Sequence, residues 1–91
     1  MAEIAPAANT DTLLRAILRD VLGLADDQVA GFDAATELFG ALPELDSMAV
    51  AGLLTEIEDR LDIVIDDDEV DGELLESYGN LLTFVQGKRG E

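Results

Sequence analysis

Apolar residues recur at helical spacing in three stretches of the chain, and the first of these follows an Ala-rich leader. Asn9 or Thr10 can cap the start of this stretch, and Gly23 suits the left-handed position that ends a helix. Between them, the spacing predicts a first helix over residues 11–22. Its apolar face consists of Leu13, Leu14, Ile17, Leu18, Val21 and Leu22.

A second amphipathic stretch begins at Ser47 or Met48 and is predicted to run to about Leu61. Its apolar positions are spaced i, i+3, i+4, i+7 and i+11, which gives one buried stripe. Gly52 interrupts this helix at a cost of about 1 kcal/mol relative to alanine. It is either a tolerated glycine or a point of close approach by a partner or a bound group. The stripe consists of Val50, Leu53, Leu54, Ile57 and Leu61.

The last helix is predicted to follow Ser77, a good N-cap residue, and to end at Gly87. Between the helices, residues 26–30 and residues 34–39 are each expected to form a helical turn within a long first loop. Residues 63–65 are expected to form an anchored loop, since no partner strand is evident. Val70, Leu74 and Leu75 then predict one face of a short, weak helix. Asp33 is the expected cap of the second turn.

Three good helices and one weak helix predict an all-α fold, a small three-to-four-helix bundle with a long first loop. The chain has 91 residues, so a single domain is expected. The predicted division is a mobile leader at residues 1–9, the folded domain at residues 10–87 and a tail at residues 88–91.

Composition narrows the possible chemistry. The chain is 48% hydrophobic but only 4% aromatic, and it contains no Cys and no His. Disulfides, zinc sites, thiol nucleophiles and imidazole bases are therefore excluded. No apolar run reaches the length of a membrane span, and no signal peptide is evident. We expect a cytoplasmic, monomeric protein that is not an enzyme.

The charge of the chain points to the kind of partner it meets. With 21 acidic and 5 basic residues, the formal net charge is −16. Such a charge disfavours binding to nucleic acids and to anionic membranes, and it favours protein partners with basic surfaces. The simpler alternative is that the acids only keep a small protein soluble.

The junction between the long loop and the second helix holds the candidate site. Asp46 and Ser47 are both strong N-cap residues, and a helix N-terminus favours a bound or attached phosphate. The Ser47 hydroxyl is thus well placed to carry a phosphoester. The alternative is that the two residues serve only as caps.

The segment from Phe39-Gly40 through Asp46-Ser47-Met48 to Glu58 resembles the acyl carrier protein family over roughly residues 10–87. In that family an Asp-Ser-Leu motif starts the second helix, and its serine carries a 4′-phosphopantetheine arm. The resemblance implies that Ser47 holds this arm and presents acyl intermediates as thioesters. Met48 takes the place of the family's leucine as an exposed apolar contact.

The resemblance also implies partners. A phosphopantetheinyl transferase would install the arm, with Asp46 helping to cap the helix and to position that enzyme. An acyl-loading ligase or acyltransferase with a basic surface would meet Glu56, Glu58 and Asp59.

Departures from the family pattern indicate a specialised, freestanding bacterial carrier of a dedicated biosynthetic pathway. Leu45 precedes Asp46 where housekeeping fatty-acid carriers usually have alanine. Ala49 and Gly52 stand where those carriers often place acids, and the segment from residue 69 to residue 77 is longer than usual.

Two other functions compete with the carrier function. An acidic adaptor or inhibitor could bind a basic protein without any covalent arm. The acid run from residue 66 to residue 73 also invites a calcium site. An EF-hand loop starting at Asp67 fails, because its twelfth position is Tyr78, which has no carboxylate. We therefore predict no specific metal site, and loose binding of divalent ions by the acid run stays open as a third function.

Overall fold

The computed structural model describes residues 9–90. They form four α-helices, α1 (Thr10–Leu22), α2 (Asp26–Ala30), α3 (Ser47–Leu61) and α4 (Tyr78–Lys88), with a 3-10 turn at Asp67–Glu69. Extended pairing in this range is limited to an isolated bridge between Glu37 and Ser77. The all-α prediction is confirmed. The predicted leader lies outside the described residues, apart from Asn9.

The predicted helix boundaries depend on caps, and most of these form. The Asn9 side chain accepts a hydrogen bond from the Thr12 amide, and Gly23 closes α1 with a φ of 69°. Ser77 accepts a hydrogen bond from the Asn80 amide at the start of α4. The predicted end of the last helix at Gly87 is wrong by one residue. No left-handed residue stops the helix there, so α4 continues to Lys88.

The core is mostly aliphatic, with Phe32 and Tyr78 as its buried aromatic residues, and lies among α1, α3 and α4. α1 contacts each of the other three helices, and its predicted apolar face is buried along Leu14, Ile17, Leu18 and Leu22. Residues at the edges of the predicted stripes, such as Val50 and Leu54, are half-buried against this core. No helix within residues 9–90 is long and apolar enough to cross a bilayer.

The long first loop differs from the prediction in its second half. The turn at 26–30 forms as α2, and Asp33 caps a turn by accepting a hydrogen bond from the Ala35 amide at 2.9 Å. The expected helical turn does not extend to Phe39, because the chain there is paired with a distant segment. The Phe39 amide donates to the Leu75 carbonyl at 2.9 Å.

The prediction of a short helix around residues 70–75 is also wrong, because the chain forms turns there. The chain makes the 3-10 turn and then further turns, although Leu74 and Leu75 are buried as expected. Local carboxylates explain this result. Asp66 and Glu69 form a capping box around the 3-10 turn, and Asp71 accepts from the Leu74 amide at 3.0 Å. Such side-chain bonds compete with helical backbone bonds. Residues 63–65 form a loop, as predicted.

A partly buried polar hub, formed by Asp11, Arg15 and Tyr78, ties the first loop to α1 and α4. Arg15 donates hydrogen bonds to the carbonyls of Val29 and Phe32, the latter at 2.9 Å. Its guanidinium carbon lies 4.8 Å from the centre of the Tyr78 ring. The Tyr78 hydroxyl donates to Asp11 Oδ1 at 2.5 Å, and this bond is the main reason why the pKa of Asp11 is lowered.

The hub predicts a loss of stability at alkaline pH. Burial, reinforced by the hydrogen bond to Asp11, raises the pKa of Tyr78 above its ordinary value of 10.0. The neutral Tyr78 hydroxyl contributes fully to stability below pH 10.0. This contribution is lost as pH rises through the higher pKa of Tyr78 in the folded protein. We expect the free energy of unfolding by urea to fall as pH rises above about 10, the ordinary pKa of a tyrosine. In Tyr78→Phe the fall should be smaller; an equally steep fall would contradict this assignment.

Candidate functional site

One buried side chain, that of Leu45, anchors the end of the loop just before α3. Leu45 is 3% exposed and belongs to the core, and its amide donates to the Leu42 carbonyl at 3.0 Å. Leu45 precedes the helix cap and Val50 occupies the fourth helical position, which are the two positions of a hydrophobic staple. Both residues pack in or against the core. This anchoring sets the direction in which the chain enters α3.

Asp46 is the N-cap of α3. Its backbone is extended, and its Oδ1 accepts a hydrogen bond from the Ala49 amide at 2.8 Å. Its carbonyl oxygen accepts a bond from the Val50 amide at 2.9 Å, which begins the helical pattern. Of the two candidate cap residues in the sequence, Asp46 therefore supplies the cap and Ser47 does not.

Ser47 is the first residue of α3, and it is exposed. Within residues 9–90, no hydrogen bond engages its hydroxyl. The other serine of the chain, Ser77, is half-buried, and its hydroxyl accepts a bond from the Asn80 amide at 3.1 Å. The Ser47 oxygen is therefore free to react, at a helix end whose partial positive charge favours a phosphate.

A cleft runs beside Ser47, between α3 and the segment from residue 65 to residue 75. It consists of two adjoining cavities of about 330 and about 450 Å³, and Ser47, Val50 and Val70 line both. Apolar side chains share the lining of the cleft with three carboxylates, those of Glu58, Asp67 and Asp71. The apolar side chains include Phe39 and Leu75 in the first cavity, and Leu54 and Ile65 in the second. We call this feature the Ser47 cleft.

Sequence reasoning did not predict the Ser47 cleft. Its outer wall is the segment for which a weak helix was expected, and turns rather than a helix bring Val70 and Leu75 to it. A partial signal was present: Ile65, Val70 and Leu75 are apolar residues spaced by five, in a run otherwise rich in acids. That spacing fits neither a helix nor a strand.

Two apolar side chains next to the site are exposed to solvent. Met48, the residue after Ser47, is 85% exposed, and Phe39, which shares the first cavity with Ser47, is 52% exposed. Large apolar side chains in water near a reactive group are candidates for contacts with a partner protein.

The three acids expected to meet partners differ in their surroundings. Asp59 is exposed on α3. Glu56 is partly exposed and pairs with Arg60 at 2.8 Å. The Glu58 carboxylate instead accepts a hydrogen bond from the Ile65 amide at 2.8 Å. Glu58 thus fixes one wall of the Ser47 cleft, a role that the sequence did not reveal.

The chemistry available at this site centres on the Ser47 hydroxyl. No imidazole or thiolate exists in the chain to activate Ser47, and the neighbouring carboxylate of Asp46 is used as the cap. Within residues 9–90, no group of side chains is arranged to hold a metal ion. What remains is a free hydroxyl on a helix end beside the Ser47 cleft, part of whose lining is apolar.

Comparison with known proteins agrees with this geometry. The family model described as a phosphopantetheine attachment site matches residues 12–85. Among solved structures, the chain is similar to a holo acyl carrier protein from Nitrosomonas europaea, determined by solution NMR. The two are 36% identical with a TM-score of 0.80, over 93% of this chain and 100% of the other. No curated protein matches.

Proposed function

Because the chain belongs to the acyl carrier protein family, whose members carry a covalent 4′-phosphopantetheine arm, we propose that Ser47 is the residue that holds this arm. The observation that supports this assignment most strongly is the exposed Ser47 hydroxyl, which is free because Asp46 supplies the helix cap. As in the rest of the family, the protein acts as a carrier and not as a catalyst.

The residues at this position fit the group. One end of the arm is a phosphate that comes from coenzyme A: the serine oxygen bonds to its phosphorus as the pyrophosphate bond breaks, and adenosine 3′,5′-bisphosphate leaves. The unpaired amides at the start of α3 favour the negative charge of the resulting phosphodiester. The base that removes the hydroxyl proton is proposed to come from the transferase, since the chain has no His and the adjacent Asp46 carboxylate is engaged as the helix cap. The thiol at the other end of the arm carries the acyl group as a thioester.

The Ser47 cleft is proposed to receive the arm and the beginning of its acyl cargo. Val50 and Val70 line both of its cavities, which begin at Ser47 itself. Covering apolar surface contributes roughly 25 cal/mol per Å². An acyl chain lying against these side chains is therefore more stable than one exposed to water.

Partners are proposed to approach through the start and the outer face of α3. Asp46 and Met48 flank the attachment point and would contact the phosphopantetheinyl transferase. Glu56 and Asp59 would meet arginines or lysines of an acyl-loading ligase or acyltransferase. Glu58 would contribute to the negative field while it holds Ile65.

The pathway is proposed to be a specialised one. Ala49 and Gly52 leave early α3 without the acids common in housekeeping carriers. A monomer in the cytoplasm fits this function, and the absence of Cys suits a reducing compartment.

Treatment with a promiscuous phosphopantetheinyl transferase and coenzyme A tests this function. The intact mass of the purified protein should rise by one arm, and by no more than one. A housekeeping carrier in a parallel reaction shows that the enzyme is active. If the wild-type protein stays unmodified with several such enzymes, the carrier assignment of Ser47 fails and the acidic adaptor is favoured.

A further inference from the structure

The outer wall of the Ser47 cleft has open space on both of its sides. One side, through Val70 and Asp71, faces the cleft. The other side faces a separate cavity of about 370 Å³ between the wall and α4, which we call the rear cavity. Its lining includes Glu69 and Asp71 of the wall and Asn80, Thr83 and Phe84 of α4. Because Asp71 lines both spaces, a single residue separates them at that point.

Hydrogen bonds tie this wall to the neighbouring helices at its two ends. At the first end, the Ile65 amide donates to the Glu58 carboxylate on α3 at 2.8 Å. At the second end, Asn80 Nδ2 on α4 donates to the Glu73 carbonyl at 2.8 Å. Within the described chain, the backbone hydrogen bonds of residues 66–72 stay inside the wall itself. The middle of the wall therefore depends on side-chain contacts for its position.

An ion pair between Lys88 and Glu69 supplies that contact. Lys88 Nζ, at the end of α4, lies 2.6 Å from Glu69 Oε1, and the two side chains are only 26% and 31% exposed. The Lys88 ammonium also lies 5.6 Å from the centre of the Phe84 ring, so it contacts two residues that line the rear cavity. The same Glu69 oxygen accepts the Asp66 amide at 2.9 Å, which couples the ion pair to the capping box of the 3-10 turn.

Like charges in the wall oppose its present position. Six of the eight residues from 66 to 73 are acids. Within residues 9–90, Lys88 is the one base that forms an ion pair with any of them. The hydrogen bond from Lys88 is also the main reason why the pKa of Glu69 is lowered. Removing the Lys88 charge would release the middle of the wall and leave the repulsion among its acids uncompensated.

We propose that residues 66–72 form a movable wall, which the Lys88–Glu69 ion pair holds in place and which can retreat into the rear cavity to widen the Ser47 cleft. The retreat requires no rearrangement of α3 or α4, because the space behind the wall already exists. Lys88 is thus a positioning residue for the cleft. A wider cleft covers more of a long acyl chain; this consequence rests on the proposed attachment at Ser47, whereas the motion of the wall does not.

A thiol placed in the wall measures this motion. The chain has no Cys, so Val70→Cys introduces a single reporter at a half-buried position that lines the cleft. Its rate of alkylation by iodoacetamide rises with the fraction of time for which the wall is open. In this background, Lys88→Met should raise the rate by about fivefold at low salt, and this difference should shrink at high salt. Lys88→Arg, which keeps the charge, should stay near the rate of Val70→Cys alone.

Filling the rear cavity should have the opposite effect. Thr83 is exposed and lines that cavity, so Thr83→Phe places a ring where the wall would retreat. We expect it to lower the alkylation rate by about threefold. Arg60→Met is the matched control, because Arg60 pairs with Glu56 at 2.8 Å and with Asp20 at 2.9 Å rather than with the wall. Circular dichroism shows that each variant is folded. Equal rates in Lys88→Met and Arg60→Met, or an unchanged rate in Thr83→Phe, would overturn the proposal.

Thioester cleavage tests the consequence for cargo. The transferase loads wild type and Thr83→Phe, without the reporter thiol, with an octanoyl or an acetyl arm. Hydroxylamine should cleave the octanoyl thioester about threefold faster in Thr83→Phe, because a wall that cannot retreat leaves more of the chain in water. The short acetyl group should show no difference. Equal cleavage of the octanoyl thioester would overturn this consequence. A wild-type protein that accepts no arm would overturn the attachment at Ser47 and leave the alkylation result intact.

Discussion

Replacing Ser47 with alanine is expected to abolish loading of the arm, while replacing Ser77 with alanine should leave loading at the wild-type level. These are the two serines of the chain, and both stand at the start of a helix. Ser77 uses its hydroxyl as the cap of α4 and is half-buried, whereas the Ser47 hydroxyl is exposed and unbonded. The expected difference between the two variants is all or none.

Intact-mass measurement after incubation with the transferase and coenzyme A checks this expectation. Ser47→Ala should remain folded, because Asp46 still caps α3. Ser77→Ala loses a cap worth about 1 kcal/mol, so the assay should be run well below its melting temperature. A mass increase in Ser47→Ala, or its absence in Ser77→Ala despite a native circular dichroism spectrum, would contradict the assignment.

Exchanging single glycines for alanine should change stability in opposite directions at two helical positions. Gly79→Ala is expected to lower the free energy of unfolding by roughly 1–3 kcal/mol, the usual cost of overpacking. Gly52→Ala is expected to raise it by about 0.5–1 kcal/mol, from helix propensity alone. The substitution is the same in both cases, so the surroundings decide the sign.

The two glycines differ in whether an added Cβ would meet a neighbouring residue. A Cβ at Gly79 would lie 2.7 Å from the carbonyl oxygen of Ala34 and 2.9 Å from its Cβ. Ala34 cannot easily retreat, because its carbonyl accepts the Gly79 amide at 3.1 Å and the next pairing holds Tyr78 to Thr36 at 2.8 Å. Around Gly52 there is open space.

Urea unfolding of the two variants and the wild type, at one pH and one salt concentration, measures both changes. Equal shifts in the same direction would show that helix propensity dominates at both sites. In that case the close contact between Gly79 of α4 and Ala34 of the first loop would not decide the effect of the substitution on stability.

Local signals determined most of the helical framework. Residues within a few positions of one another produce the apolar periodicity of α1 and α3. The same holds for the caps at Asn9, Gly23 and Ser77. Such short-range patterns can be found in a single sequence. The all-α bundle and the boundaries of α1 and α3 were therefore predictable.

The contacts that sequence reasoning missed join residues far apart in the chain. Arg15 reaches the carbonyls of Val29 and Phe32, 14 and 17 residues away, and no local pattern indicates that pairing. The bridge from Glu37 to Ser77 likewise replaces an expected helical turn. In these segments, tertiary hydrogen bonds override the local preference.

The position of Asp46 and Ser47 at the start of α3 was predictable from the sequence, but which of the two caps the helix was not. Asp46 and Ser47 are equally good caps by residue type, and only the geometry shows that Asp46 takes the cap. The role of Glu58 in holding Ile65 also depends on the path of the loop after α3. The Ser47 cleft exists because turns, rather than a helix, form its outer wall.

Mapping the arm to a residue tests the role of Ser47 most directly. Trypsin would separate the two serines, since cleavage at Arg19, Arg60 and Lys88 places Ser47 in the peptide 20–60 and Ser77 in the peptide 61–88. Fragmentation of the loaded peptide should place the phosphodiester on Ser47. The assignment of the arm to Ser47 would be contradicted by an arm on Ser77, or on Thr36 or Thr55 in the same peptide as Ser47.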